Sequence, residues 1–248
     1  MNILLVLAFL FAVGSFLGWC LEVLFRRYVS KKWINPGFLT GPWLPIYGFS
    51  LCILYLLTML EEYVPLEGKY SKKLALFIVM SLCITLIEYA AGLIFIKKMK
   101  IKLWDYSDMK WNFQGIICPL FSFFWLLLSA LYYFIIHPHI LDMLVWLSRN
   151  LAFSFCIGLY FGIMIMDFAY SSQIISHIKR FAEEQQIVVR LEELKEVIQE
   201  TRKKHGERFS FMFSFRSRMS VREHLEHYIN SPDVKKRLEE LRRRITKK

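Results

Sequence analysis

Three acidic side chains stand in stretches that are otherwise apolar: Glu22 in "SFLGWCLEVLFRR", Glu88 in "IEYAAGLIF" and Asp167 in "GIMIMDFAY". In such surroundings a carboxylate holds a proton, pairs with a cation or accepts hydrogen bonds from polar groups brought to it. Placing an acid at the centre of a membrane helix costs about 2.5 to 3.5 kcal/mol, which marks each of the three as a candidate functional residue. Glu88 has company. Ser81, Thr85, Glu88 and Gly92 follow i, i+4, i+7, i+11 spacing and share one helical face, and Cys118, Ser122, Trp125 and Ser129 repeat it. Two such stripes predict helices that face each other or a wet cavity; small-and-polar helix packing is the plainer alternative. Glu22 and Asp167 also have plain readings. Glu22 is four residues before Arg26, the spacing of a helical ion pair, and Asp167 is close to a helix end. Glu88 has no basic residue within a turn.

The elements that carry these residues are apolar helices. The chain has 248 residues, 56% of them hydrophobic, against about 45–50% in soluble domains. Five runs approach or exceed the roughly 20 residues needed to cross a bilayer: Ile3–Phe25, Pro42–Tyr63, Lys73–Ile96, Gly115–Ile136 and Arg149–Tyr170. They are apolar on nearly every face, which disfavours the alternative of a soluble bundle. The expected fold is all-α: a polytopic transmembrane helix bundle of about five spans over residues 1–172, followed by a cytoplasmic, basic, helical tail over 173–248. Lys and Arg are counted to orient it. The first loop holds four (Arg26, Arg27, Lys31, Lys32), the third five (Lys97, Lys98, Lys100, Lys102, Lys110) and the segment after Tyr170 nineteen. The amino-terminal stub has none, the second loop three and the fourth one. This places the amino terminus outside and all three acids in the cytoplasmic half of the membrane.

The first span lacks the basic start and small-residue cleavage site of a signal peptide and reads as a retained helix. Trp19 is far too large to precede Cys20 in a lipoprotein cleavage box. The five cysteines all lie within spans and none forms a CxxC pair, so neither a disulfide framework nor a metal site is indicated. No cofactor motif is present. "GSFLG" (Gly14, Gly18) and "GLYFG" (Gly158, Gly162) fit the small-xxx-small pattern of closely packed membrane helices. Gly14, Gly18 and Glu22 share a face, so close packing there would bury Glu22 against a partner helix.

Two loops on the predicted cytoplasmic side are irregular. In "INPGFLTGPWLPIYG", Pro42 fits the first position of a helix, with Pro45 still in the first turn. The rest of that stretch is irregular backbone, tolerated at membrane depth where protein buries it or where it lines a cavity. Its free N–H groups suit an anion, a lipid phosphate or one of the acids. In "LWDYSDMKWNFQG", Asp108 or Asn112 fits as a helix cap. The sharper expectation is one cytoplasm-facing pocket formed by Glu22, Glu88 and Asp105 with the backbone around Asn35–Gly41.

"SFLGWCLEVLFRR", "NPGFLTGPWLPIYGF", "IEYAAGLIF" and "WDYSDMKWNFQGIIC", in order over roughly residues 11–130, resemble the motifs of the CmpB-like family of type IV ABC-transporter permease-like membrane proteins. The resemblance places Gly18, Trp19, Glu22, Asn35, Gly37, Gly41, Pro42, Pro45, Tyr47, Gly48, Glu88, Gly92, Trp104, Asp105, Tyr106, Ser107, Asn112 and Gly115 at motif positions. It implies a transport-type subunit without naming a substrate. The GxxxxGK[ST] phosphate loop is missing from this sequence, so an ATPase would be a separate subunit.

In the tail, Ile187, Leu191, Leu194 and Ile198 form a helical stripe, and "SVRE" at Ser220–Glu223 is a capping box. Ser231 with Pro232 opens a further helix carrying Val234, Leu238, Leu241 and Ile245. In "RFSFMFSFRSR", Arg208, Phe209, Phe211, Phe213, Phe215, Arg216 and Arg218 suit a surface of anionic headgroups. A basic tail held at the membrane favours lipid over nucleic acid. His224 and His227 read as a solvated face rather than a metal site. Functionally, the sequence points to a permease-like subunit of the cell membrane, working as a homo-oligomer or with other membrane subunits. The alternatives are a membrane-embedded enzyme acting on lipids or their headgroups, and a non-catalytic scaffold or regulator. No nucleophile arrangement appears within the spans, which weighs against catalysis.

Overall fold

The computed structural model of the chain describes residues 2–63, 68–204, 211, 214–217, 219–232 and 234–239. Asn2 caps α1 (Ile3–Ser30), its side chain accepting from the Leu4 amide at 3.0 Å. Pro45 occupies the first position of α2 (Pro45–Met59), so the irregular stretch runs three residues further than the expected start at Pro42. The long α3 (Lys69–Met99) follows. Pro119 opens α4 (Pro119–Leu131), which passes through a π-helical turn, Tyr132–Ile136, into α5 (His137–Arg149). The last long helix is α6 (Ser154–Glu184); the shorter α7 (Leu191–Lys204) and α8 (Val221–Asn230) follow, and residues 234–239 beyond them are again helical, as expected for the segment opened by Ser231 and Pro232. The capping box at Ser220 and Glu223 is formed in full.

Four stretches, Ile3–Val29, Tyr70–Met99, Pro119–Arg149 and Leu151–Glu184, are long and apolar enough to cross a membrane. Of the five expected spans, α2 is the exception. Its 15 residues rise about 22 Å, short of the roughly 30 Å hydrocarbon core, yet it runs from the end of α1, where Tyr47 meets Glu22, back to the start of α1, where Leu54 and Tyr55 meet Phe9 and Leu10. The segment expected as a loop after Ile136 is instead helical, because Ile140, Leu144 and Leu147 recur at i, i+4, i+7 and are buried. Pro138 lacks an amide and its ring crowds the preceding turn. The π turn just before it lets the helix continue. Phe155 and Met166 of α6 are 76% and 74% exposed. Large apolar side chains left open from Phe155 to Tyr170 require an apolar surrounding, and the chain is a membrane protein.

Helix directions alternate. One apolar cluster joins the start of α1 (Phe9, Leu10), the end of α2 (Leu54, Tyr55), the start of α3 (Met80) and α5 (Leu144, Leu147). A second, at the opposite end, joins Ile101 to the end of α6 (Ile175, Ile178), to α7 (Leu191, Leu194, Ile198) and to α8 (Leu225, Tyr228). The tail therefore packs on the bundle. Strands β1 (Ile101–Lys102) and β2 (Val189–Arg190) pair in parallel and fasten the end of α3 to the α6–α7 link. Helix α6 is unbroken across residue 172, so the division expected there falls inside one helix. His224 is buried, with its Nε2 3.0 Å from the Ser217 hydroxyl, and does not belong to a solvated face.

Candidate functional site

The tail end of the bundle gathers all three intramembrane acids, and each finds a different solution. Gly14 and Gly18 are where α1 and α2 touch: a Cβ on Gly18 would fall 2.2 Å from Cγ of Tyr47. That closeness lets the Tyr47 hydroxyl donate to Glu22 Oε2 at 3.0 Å. Glu22 Oε1 pairs with Arg26 at 3.1 Å, and Arg26 also pairs with Glu192 of α7. The expected i,i+4 ion pair is thus formed, within a larger network. A Cβ added to Gly158 or Gly162 of α6 would meet no atom within 4 Å, so these two glycines make no such contact.

Glu88 is 3% exposed. Its Oε1 accepts from the Tyr106 hydroxyl at 3.1 Å and its Oε2 from the Trp125 indole at 3.0 Å. The two polar stripes do face each other. Ser81 donates to the Ser122 carbonyl at 2.9 Å, and Thr85 Oγ1 lies 3.3 Å from Ser122 Oγ. No cation pairs with Glu88 among the described residues.

Asp167 holds the irregular stretch. Its Oδ2 accepts from the amides of Thr40 (3.0 Å) and Gly41 (2.9 Å) and from the Trp43 indole (2.7 Å), while Ser171 donates to Oδ1 at 3.3 Å. Of the three partners the free N–H groups suit, the structure selects an acid. Asn35 orders the same loop from within: it accepts from the Trp19 indole at 2.7 Å and donates to the carbonyls of Leu39 (3.1 Å) and Thr40 (2.8 Å). Gly37 takes a left-handed φ of 71°, a conformation glycine adopts without Cβ strain.

Between α1, α2, α3 and α4 lies a cavity of about 290 Å³. Glu22, Arg26, Gly37, Tyr47, Glu88 and Trp104 line it, with Tyr106 and Trp125 beside Glu88. Apart from Ser50, its remaining walls are apolar and aromatic, among them Trp43, Phe49, Ile94 and Phe95. Asn35, Gly41, Pro42, Asp105, Ser107 and Asn112 are nearby without lining it. Asp105 instead joins the tail. It pairs with Lys102 at 3.1 Å and with Arg190 at 2.6 Å, and accepts from the Ser107 amide at 3.0 Å. Burial alone would raise its pKa, but the hydrogen bonds from Ser107 and Lys102 and the charge of Arg190 hold it below the ordinary 3.8. Asn112 closes the loop, donating to the carbonyls of Ser107 (3.1 Å) and Met109 (2.8 Å) and accepting from the Gly115 amide at 3.0 Å.

One residue at this end escaped sequence reasoning. Lys195 of α7 is 5% exposed and donates to the carbonyls of Asn35 (2.8 Å) and Gly37 (2.7 Å). Burial, with the charge of Arg26, pulls it from 10.5 down to about 7, against the opposing pull of Glu192 and Asp167. Its position, four residues after Leu191 and three before Ile198 on the apolar stripe, is a sequence signal for burial. In the tail, Phe211 stacks on Trp19 with ring centroids 6.2 Å apart and lies 6.0 Å from Trp33. Phe215 packs against the second apolar cluster and Arg216 is exposed. Arg208, Phe209, Phe213 and Arg218 lie outside the described residues, as do Leu241 and Ile245.

Fold and site define an α-helical membrane protein with an aromatic, acid-bearing cavity at one end of its bundle. The chain belongs to the family described as "Putative ABC-transporter type IV", whose model matches residues 9–172. The match spans every wall of the cavity and leaves α7 and α8 beyond it. Comparison with curated proteins and with solved structures gives no match.

Proposed function

We propose that the chain is a permease-like subunit of a cell-membrane transporter, with its amino terminus outside, its tail in the cytoplasm and a substrate-binding site in the cavity. The observation that carries this reading is the cavity itself: a space of about 290 Å³ holding two carboxylates at the tail end of an apolar bundle. That volume is near the lower end of the range for small-molecule sites, about 300–1,000 Å³. Family membership supports the transporter assignment, and the missing phosphate loop leaves ATP hydrolysis to a separate subunit. Arg26 lines the cavity and pairs with Glu192 of α7, so a partner that moves the tail also moves a cavity wall. The basic tail region, Arg216 included, faces anionic headgroups in this arrangement.

The test is purification of the full chain from its own membranes in mild detergent, with copurifying proteins identified by mass spectrometry. An ATP-binding subunit carrying GxxxxGK[ST] is expected. Glu88→Gln, which keeps size and removes charge, should assemble with that subunit and lose transport. Purification without any ATP-binding partner, or full transport by Glu88→Gln, refutes the assignment.

A further inference from the structure

Glu88 and its surroundings restrict what the cavity binds. The charged groups on its walls are Glu22, Arg26 and Glu88. Arg26 is shared between Glu22 and Glu192, so its charge is already met. Among the described residues Glu88 has only neutral donors, Tyr106 and Trp125, one on each oxygen. A carboxylate has about four acceptor sites, so each of these oxygens can still accept from a ligand. A buried carboxylate without a positive partner is costly, and the cost falls when a cation joins it.

The walls favour the same sign of charge. Trp43, Tyr47, Trp104, Tyr106 and Trp125 line the same cavity, and Tyr47 and Trp125 meet edge to face with centroids 6.0 Å apart. Aromatic faces attract cations, by about 2 kcal/mol or more where water is excluded, and do not attract anions in this way. Apart from Ser50, the rest of the cavity is apolar, and its rim reaches the outer surface. Phe49 of α2 and Ile94 of α3 line it and are 56% and 50% exposed.

We infer that the cavity binds an organic cation with an apolar body, its ammonium group held at Glu88 and Glu22 among the aromatic rings. The inference rests on the reading of the cavity as a ligand site and names the ligand class. Among the described residues no protein-borne cation fills the role: Lys195, a buried amine at this end of the bundle, is engaged by the carbonyls of Asn35 and Gly37.

Isothermal titration of the full chain in nanodiscs of zwitterionic lipid tests this. The probes are benzyltrimethylammonium, benzenesulfonate and benzyl alcohol, three small aromatics that differ in charge. Saturable binding of the cation is expected, at least tenfold tighter than that of either control. Glu88→Gln should weaken it tenfold or more. Equal binding of the three probes, no saturable binding of the cation at millimolar concentration, or unchanged affinity in Glu88→Gln overturns the inference. The comparison among probes uses the unaltered protein and stands even if the variant fails to fold. Cation binding without an ATP-binding partner would remove the transporter assignment and keep the ligand class; an ATP-binding partner without cation selectivity would do the reverse.

Discussion

Replacing Asp167 with alanine removes the acceptor that holds the irregular stretch to α6. The carboxylate takes the Thr40 amide at 3.0 Å, the Gly41 amide at 2.9 Å and the Trp43 indole at 2.7 Å. A hydrogen bond to a charged group contributes about 1.5–3 kcal/mol, and a donor left unpaired in a buried place costs a comparable amount. The three donors share one carboxylate, so their losses do not simply add. About 3–5 kcal/mol of local stability should disappear. At the lower figure, the opening that exposes the Thr40 and Gly41 amides becomes roughly a hundredfold more frequent, since each 1.4 kcal/mol is a factor of ten. Hydrogen–deuterium exchange of the full chain in nanodiscs reads this directly. Peptides covering residues 34–44 should exchange about two orders of magnitude faster in Asp167→Ala, and peptides from the second apolar cluster should change little. Asp167→Asn keeps one acceptor oxygen but turns an amino group towards the donors, and should fall between. Exchange within about threefold of the unaltered protein in Asp167→Ala would refute the claim that this side chain organises the loop.

The docking of α7 should depend on pH through Lys195. Its folded pKa of about 7 lies below the ordinary 10.5, so between these values the unfolded state binds more protons and stability rises with pH. The whole shift corresponds to about 5 kcal/mol. Thermal unfolding followed from pH 7 to pH 10 should show the rise, and Lys195→Met should flatten it; equal slopes in the two proteins would count against a buried, deprotonating lysine. Gly18→Ala would set a methyl group 2.2 Å from Tyr47 Cγ, and such overpacking costs about 1–3 kcal/mol. Its unfolding midpoint should fall, whereas Gly158→Ala, with open space at its Cβ, should leave the midpoint unchanged; the opposite order would contradict the α1–α2 packing.

Much of the site's framework was legible in the sequence because it is local. Repeats of i, i+4, i+7 put Ser81, Thr85 and Glu88 on one face and Ser122 and Trp125 on another, and the structure joins those faces. Glycines four apart, with Glu22 four further on, implied a close neighbour, and α2 supplies it through Tyr47. The length and uniform apolarity of α1, α3 and α6 required an apolar solvent. Alternating helix directions bring the three acids to the same end.

Tertiary structure decided which partner each acid took. Asp167 and Thr40 are 127 residues apart in the chain, and Lys195 and Asn35 160 apart. No periodicity specifies such pairs; they form where packed helices leave matching donors and acceptors at the same depth. Asp105 shows the consequence. Its loop pointed to the cavity, yet Arg190 lies beside it because the ladder of Ile101–Lys102 with Val189–Arg190 fastens the tail there, and a guanidinium at 2.6 Å holds the carboxylate outside the cavity. Glu88 lies beyond the reach of any such cation among the described residues, and that separation leaves a buried carboxyl group, held by neutral donors, among aromatic rings.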